Sequence, residues 1–152
     1  MLRTGLTAAG LVIVAVVLVA GGRAEPARTA HSCTVLDKQF ISLAVLSNTS
    51  LTLLGDGYLS GDVGPKDAIA ETRADAARLQ LTHPNDASLK AAKTMMRGMI
   101  IEYGRAIRAR WKGGDTGAHM YRSYSLANYV HQVLADAQPV LVKQGCSVAE
   151  LL

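Results

Sequence analysis

Aromatic side chains are scarce in this chain: one Trp, one Phe and five Tyr among 152 residues. Its apolar mass, with aromatics 49% of the chain, is mostly Ala, Leu, Val, Ile and Met, which suits close-packed helices better than a β-sandwich. Only four prolines occur, and turn signals do not recur at the roughly 8–12-residue spacing of a strand-rich fold. No G-x-S-x-G, P-loop or G-x-G-x-x-G sequence is present, so the common hydrolase and nucleotide-binding signatures are missing. The histidines His31, His83, His119 and His131 are never four residues apart, which leaves a zinc-binding helix unsupported. The stretch Asp56-Gly57-Tyr58-Leu59-Ser60-Gly61 has the glycine of a calcium loop, with Asp67 at its last place. Tyr58 stands where an oxygen ligand is needed, so no metal site is expected. Asn48-Thr49-Ser50 matches a glycosylation sequon but falls within a helical pattern, where it is incidental.

What is present begins with an apolar segment, Leu6–Ala20, preceded by Arg3 and followed by Gly21 and Gly22. It is short for a membrane helix, which needs roughly 20 apolar residues. Gly22-Arg23-Ala24 is an acceptable cleavage sequence. Residues 1–24 therefore read as a signal peptide, or as a single membrane anchor over residues 6–22 if retained. Arg23 and Arg28 follow the apolar run, the less usual side for basic residues in an exported chain. Ala30-His31-Ser32-Cys33 lies too far from the apolar run to be a lipoprotein box. Residues 25–32 are small and polar and read as a linker.

The only cysteines, Cys33 and Cys146, flank nearly everything that can fold. With an export-like segment ahead of them, they are expected to form one disulfide in an extracytoplasmic domain, secreted or anchored in the cytoplasmic membrane. A bridge over so long a loop contributes about 4–5 kcal/mol by chain entropy, a model-dependent figure.

Between the cysteines the apolar period is helical. Leu36, Phe40, Leu43, Ser47, Leu51, Leu54 and Tyr58 fall on one arc of a first helix that ends near Ser60. Pro65 opens a second helix, with Ala68, Ile69, Thr72, Ala76 and Leu79 inward and an end by Leu81. Asp86 caps a third, whose stripe is Leu89, Ala92, Met96, Met99, Ile100, Tyr103, Ile107 and Trp111, stopped by Lys112-Gly113-Gly114. Asp115 or Thr116 caps a fourth, with Met120, Tyr124, Ala127, Val130, His131, Leu134 and Ala137 inward; Pro139 is expected to kink or interrupt it, with one more turn over Val140–Lys143. Four such segments with short connections predict an all-α, up-down-up-down four-helix bundle over residues 33–152. That topology brings both cysteines to one pole, as a disulfide requires.

Charge is segregated. Residues 87–112 carry seven basic side chains against Glu102 alone, whereas residues 55–86 carry six acidic against three basic. One expectation is that helices 2 and 3 attract each other through these charges. The sharper one is an interaction surface of Lys90, Arg97, Ile101, Arg105, Arg108 and Lys112 on the third helix, facing an anionic membrane surface or an acidic protein partner. Nucleic acid is not expected, because aromatic residues are not interleaved with the basic ones. The first helix carries a second apolar line, Val35, Leu46 and Leu53, flanked by Ile41 and Val45. It offers a contact for a homodimer or another partner.

The resulting expectation is an exported or membrane-anchored, non-enzymatic binding module without a cofactor. The alternative is an extracytoplasmic carrier of a small ligand or haem between the third and fourth helices. It would use Met95, Met96, Met99 and Met120 with His119 and His131. An enzyme has least support, since no catalytic constellation appears.

Overall fold

A computed structural model describes residues 32–152; the expected leader or anchor and most of the linker lie outside the described residues. The described chain is a bundle of four helices without strands: α1 (Val35–Ser60), α2 (Pro65–Gln80), α3 (Ala87–Trp111) and α4 (Gly117–Lys143). A short 3-10 turn, Ala149–Leu151, follows. No described helix is long and apolar enough to cross a membrane.

Local chemistry accounts for the helix ends. Thr34 caps α1 and forms a capping box with Asp37: the Asp37 N–H donates to Thr34 Oγ1 at 3.2 Å and the Thr34 N–H donates to Asp37 Oδ2 at 3.0 Å. Gly61 ends α1 at φ 89°, a left-handed conformation that glycine adopts without Cβ strain. Pro65 occupies the start of α2, and Asp86 caps α3 by accepting from Ser88 and Leu89 N–H. Thr116 precedes α4 without a side-chain cap; Asp115 Oδ1 accepts instead from Gly117 N–H at 2.8 Å.

Specific contacts fix the helix directions. Thr72 meets Gly104, and Lys93 Nζ donates to the Gln80 and Thr82 carbonyls at the end of α2, so α2 and α3 run antiparallel. Ser123 donates to the Met99 carbonyl at 3.1 Å and Leu126 covers Gly98, so α3 and α4 are antiparallel too. Asp37 Oδ1 accepts from the Asn85 and Asp86 N–H groups at 2.6 and 3.0 Å, which pins the α2–α3 turn to the start of α1. Burial works against the Asp37 carboxylate, but these bonds and those from Thr34 prevail and hold its pKa below the ordinary value.

The main core gathers Phe40, Ala44, Leu79, Leu89, Met96, Ile100, Leu134 and Leu141; a second cluster holds Leu54, Ala68, Ile69 and Ile107. Cys33 and Cys146 are bridged at one pole, with Cα atoms 5.3 Å apart, and the Cys33 N–H donates to the Gln144 carbonyl. The expectation of a shared pole for the two cysteines therefore holds.

One feature differs from the sequence expectation. The helices do not pack equally on one another, although α1 and α4 both contribute to the main core through Phe40, Ala44, Val130, Leu134 and Leu141. The α3 helix is central, packing on α2 and α4, while α1 lies against α2 and α3 and its backbone does not approach α4. Residues expected inside consequently face outward: Tyr124 and His131 on α4 are exposed, as is half of Trp111 at the end of α3. The α4 helix runs through Pro139 to Lys143, with the further turn over Val140–Lys143 that the sequence suggests. Leu141 is buried in the core and accepts the Cys146 N–H, which draws the last turn onto the molecule despite the proline.

Candidate functional site

The α3 helix brings the predicted surface residues to one side of the molecule. Spacings of three, four and seven place Lys90, Arg97, Ile101, Arg105, Arg108 and Lys112 on one face of a helix. Lys90, Arg105, Arg108 and Lys112 are exposed; Arg97 and Ile101 are half-buried. The Arg97 Nε–H is buried and has no partner among the described residues.

Three of these residues, Ile101, Arg105 and Arg108, line a pocket of about 190 Å³ in the groove between α2 and α3. Ile69, Thr72 and Arg73 of α2 and Gly104 of α3 complete it. Its existence depends on Gly104: the absence of a side chain lets Thr72 Oγ1 approach the α3 backbone so closely that a Cβ at position 104 would overlap it. Ile69 and Thr72 are buried, so the pocket has a fixed floor on the α2 side. Arg73 was not among the predicted surface residues, because it lies on another helix within a net acidic segment. Only the antiparallel register of α2 and α3 carries it to the same pocket.

Glu102 sets the electrostatics beside this pocket. It is buried on the α4 side of α3 and holds three partners: Arg105 Nη1 donates to Oε1 at 2.5 Å, Arg122 Nε donates to Oε2 at 3.0 Å, and His119 Nδ1 lies 2.7 Å from Oε2. Burial alone would raise its pKa, but the bonds from His119, Arg122 and Arg105 outweigh it and lower the value to about 2. Glu102 thus stays an anion across the neutral range and orients Arg105 at the rim. One carboxylate serves two arginines and a histidine, leaving the neighbourhood cationic.

The expected charge attraction between α2 and α3 is corrected here. Among the described residues no side-chain ion pair joins those helices. Arg78 takes Glu71 at 3.1 Å and Asp75 at 2.6 Å within α2 itself. The α3 side contributes Lys93, which donates to backbone carbonyls at the C-terminal end of α2, a favourable place for a cation. Arg73 and Arg108 make no ion pair among the described residues.

A second, shallower groove of about 440 Å³ lies between α1 and the C-terminal segment, lined by Lys38, Ile41, Ser42, Val45, Leu46, Gly145, Ser147 and Glu150. Val35, Leu46 and Leu53, the second apolar line of α1, are 71%, 61% and 67% exposed. The residues named for a carrier are dispersed: Met96 is in the core, Met95 and Met99 pack at its edge, His119 is tied to Glu102, and His131 is exposed. Asp37 lies beside Cys33 and Cys146, whose sulfurs are committed to the disulfide. No protein family, curated protein or solved structure matches the chain.

Proposed function

We propose that this protein is an exported or membrane-anchored, non-enzymatic interaction module. Its α3 surface engages an anionic partner, either a membrane surface or an acidic protein. The observation that carries this reading is the composition of the groove between α2 and α3: Arg73, Arg105 and Arg108 line it together with Ile69 and Ile101, and no acidic side chain does. Arginines beside apolar side chains suit an anion attached to something apolar. The disulfide and the apolar segment Leu6–Ala20 support an extracytoplasmic setting, where such a bridge persists.

The test is charge reversal. The triple variant Arg97→Glu, Arg105→Glu, Arg108→Glu is expected to keep its helical content and lose partner or anionic-vesicle association. Association that survives unchanged in a folded triple variant refutes the reading.

A second contact is proposed through α1, between two copies of the chain. The exposure of Val35, Leu46 and Leu53 along one line of that helix favours it. Sedimentation equilibrium checks it: Leu46→Glu with Leu53→Glu should convert a dimer to a monomer, and a wild-type chain that sediments as a monomer at all concentrations excludes it.

A further inference from the structure

The groove between α1 and the C-terminal segment differs in kind from the α3 surface. Its charges balance: Lys38 of α1 lines one side and Glu150 the other. Both are exposed, and neither forms an ion pair among the described residues. A surface balanced in this way gives an anionic membrane or an acidic protein no net attraction. It suits a surface carrying the same two charges in the reverse order. The chain itself is such a surface, because a twofold axis sets each side of the groove against the other side of its copy. The groove also holds Ile41 and Val45, half-buried, and Leu46, 61% exposed. Apolar groups with charges at the rim are the composition of a specific interface. Ser42 and Gly145 are small and exposed, and a Cβ at Gly145 would meet nothing within 4 Å, so a second helix can approach closely.

We propose that two copies of the chain pair across this groove about a twofold axis, Lys38 of each meeting Glu150 of the partner subunit. The proposal rests on the α1 contact proposed above and deepens it: the groove adds the C-terminal segment to the interface and fixes how the copies face each other. An arrangement with the two α1 helices parallel brings Lys38 beside its own copy, and like charges oppose it. The two sides of the groove are already joined. Cys146 ties the C-terminal segment to Cys33 at the start of α1, so pairing requires little further ordering.

The experiment mixes two variants of the full chain in detergent, Lys38→Glu and Glu150→Lys, one of them isotopically labelled, and counts dimers by native mass spectrometry. Circular dichroism checks that each variant remains helical. Each variant alone sets like charges together twice across the axis, whereas the mixed dimer restores both pairs. Two exposed pairs turned from attraction to repulsion should weaken each homodimer by roughly tenfold. About nine in ten dimers are then mixed, against half for random pairing. One chain carrying both substitutions should dimerise as the wild type does, its pairs restored with the signs exchanged. The preference should fade in about 1 M salt, where the Debye length is about 3 Å. Lys66→Glu, at the start of α2 and outside the groove, should pair at random with the wild type. Random mixing of the two variants, or a double variant that does not recover dimerisation, overturns the proposal. If Leu46→Glu with Leu53→Glu still dissolves the dimer in that case, the α1 contact survives without the groove; a wild-type chain that is monomeric at all concentrations overturns both. A monomer whose vesicle association changes with Lys38→Glu puts a lipid surface in the groove and likewise overturns the pairing. The α3 reading stands or falls separately, since Arg97, Arg105 and Arg108 lie outside this groove.

Discussion

Replacing Glu102 by Gln removes the anion that holds Arg105 on α3 and joins that helix to His119 and Arg122 of α4, and the cost can be worked from its titration. The carboxyl is lowered from 4.5 to about 2, and a gap of about 2.5 pH units corresponds to about 3.4 kcal/mol. The side chain is 11% exposed, but Arg105 and Arg122 are 59% and 52% exposed. Solvent screens their charges, so the realised contribution falls to about 1.5–2 kcal/mol. The sign follows from the direction: a carboxyl depressed in the folded state stabilises it above the unfolded value near 4.5, and that stability is lost as pH falls toward 2. Urea unfolding of both chains, monitored by circular dichroism at several pH values from 6 to 2, reads the difference. At pH 6 the Glu102→Gln midpoint should lie about 1 M lower for a slope of about 1.5–2 kcal/mol per M. The gap should close below about pH 3. Asp37 weakens both chains in acid in the same direction, because its pKa is also lowered. It cancels in the comparison. A gap below about 0.5 kcal/mol at pH 6, or one that stays constant down to pH 2, refutes the assignment of Glu102 as the ionic link between α3 and α4.

The disulfide and the tight α2–α3 crossing give two further expectations. Cys33→Ser with Cys146→Ser opens a connection of 113 residues in sequence. It should cost about 4–5 kcal/mol in the urea assay by the model-dependent loop estimate. A loss under about 1 kcal/mol would show that the unfolded chain is not restrained by the bridge. Gly104→Ala places a Cβ on Thr72 Oγ1 and should destabilise by about 1–3 kcal/mol through overpacking. Thr72→Ala in the same chain should recover part of that loss, and two additive losses would place the strain elsewhere.

How far the sequence carried the reading differs by scale. The long helical periods gave α1 and α3 almost to the residue, because apolar spacing, Asp86, Lys112 and the glycines agree at each level. The cysteines located a common pole, since a disulfide tolerates little freedom in Cα separation. Residues such as Tyr124 and His131 were misplaced for a simple reason. Periodicity ranks the faces of a helix but does not say how many neighbours exist to cover them. With the α1 and α4 backbones apart, an apolar face on α4 exceeds what α3 can bury. Asp37 and Glu102 carried no visible signal beyond their charge. Their roles depend on backbone N–H groups at residues 85 and 86 and on partners at 105, 119 and 122, and only the tertiary register supplies these. A Thr-x-x-Asp spacing at residues 34–37 was the one local trace of the former, close to the pattern of a capping box.

The fate of the segregated charge explains why the groove remains cationic. Opposite net charges on adjacent helices would ordinarily pair across the interface, and the surface would then be neutral. Here the α2–α3 contact is made by small and apolar groups, Thr72 against Gly104 and Ile69 with Ile107, which brings the backbones too close for long ion pairs between them. Glu71 and Asp75 are taken by Arg78 on their own helix. Glu102 points to α4, where it joins a second arginine and a histidine. Glu71, Asp75 and Glu102 thus find their cationic partners on the α2 surface or on α3 and α4, and Arg73 and Arg108 are left without an ion pair among the described residues.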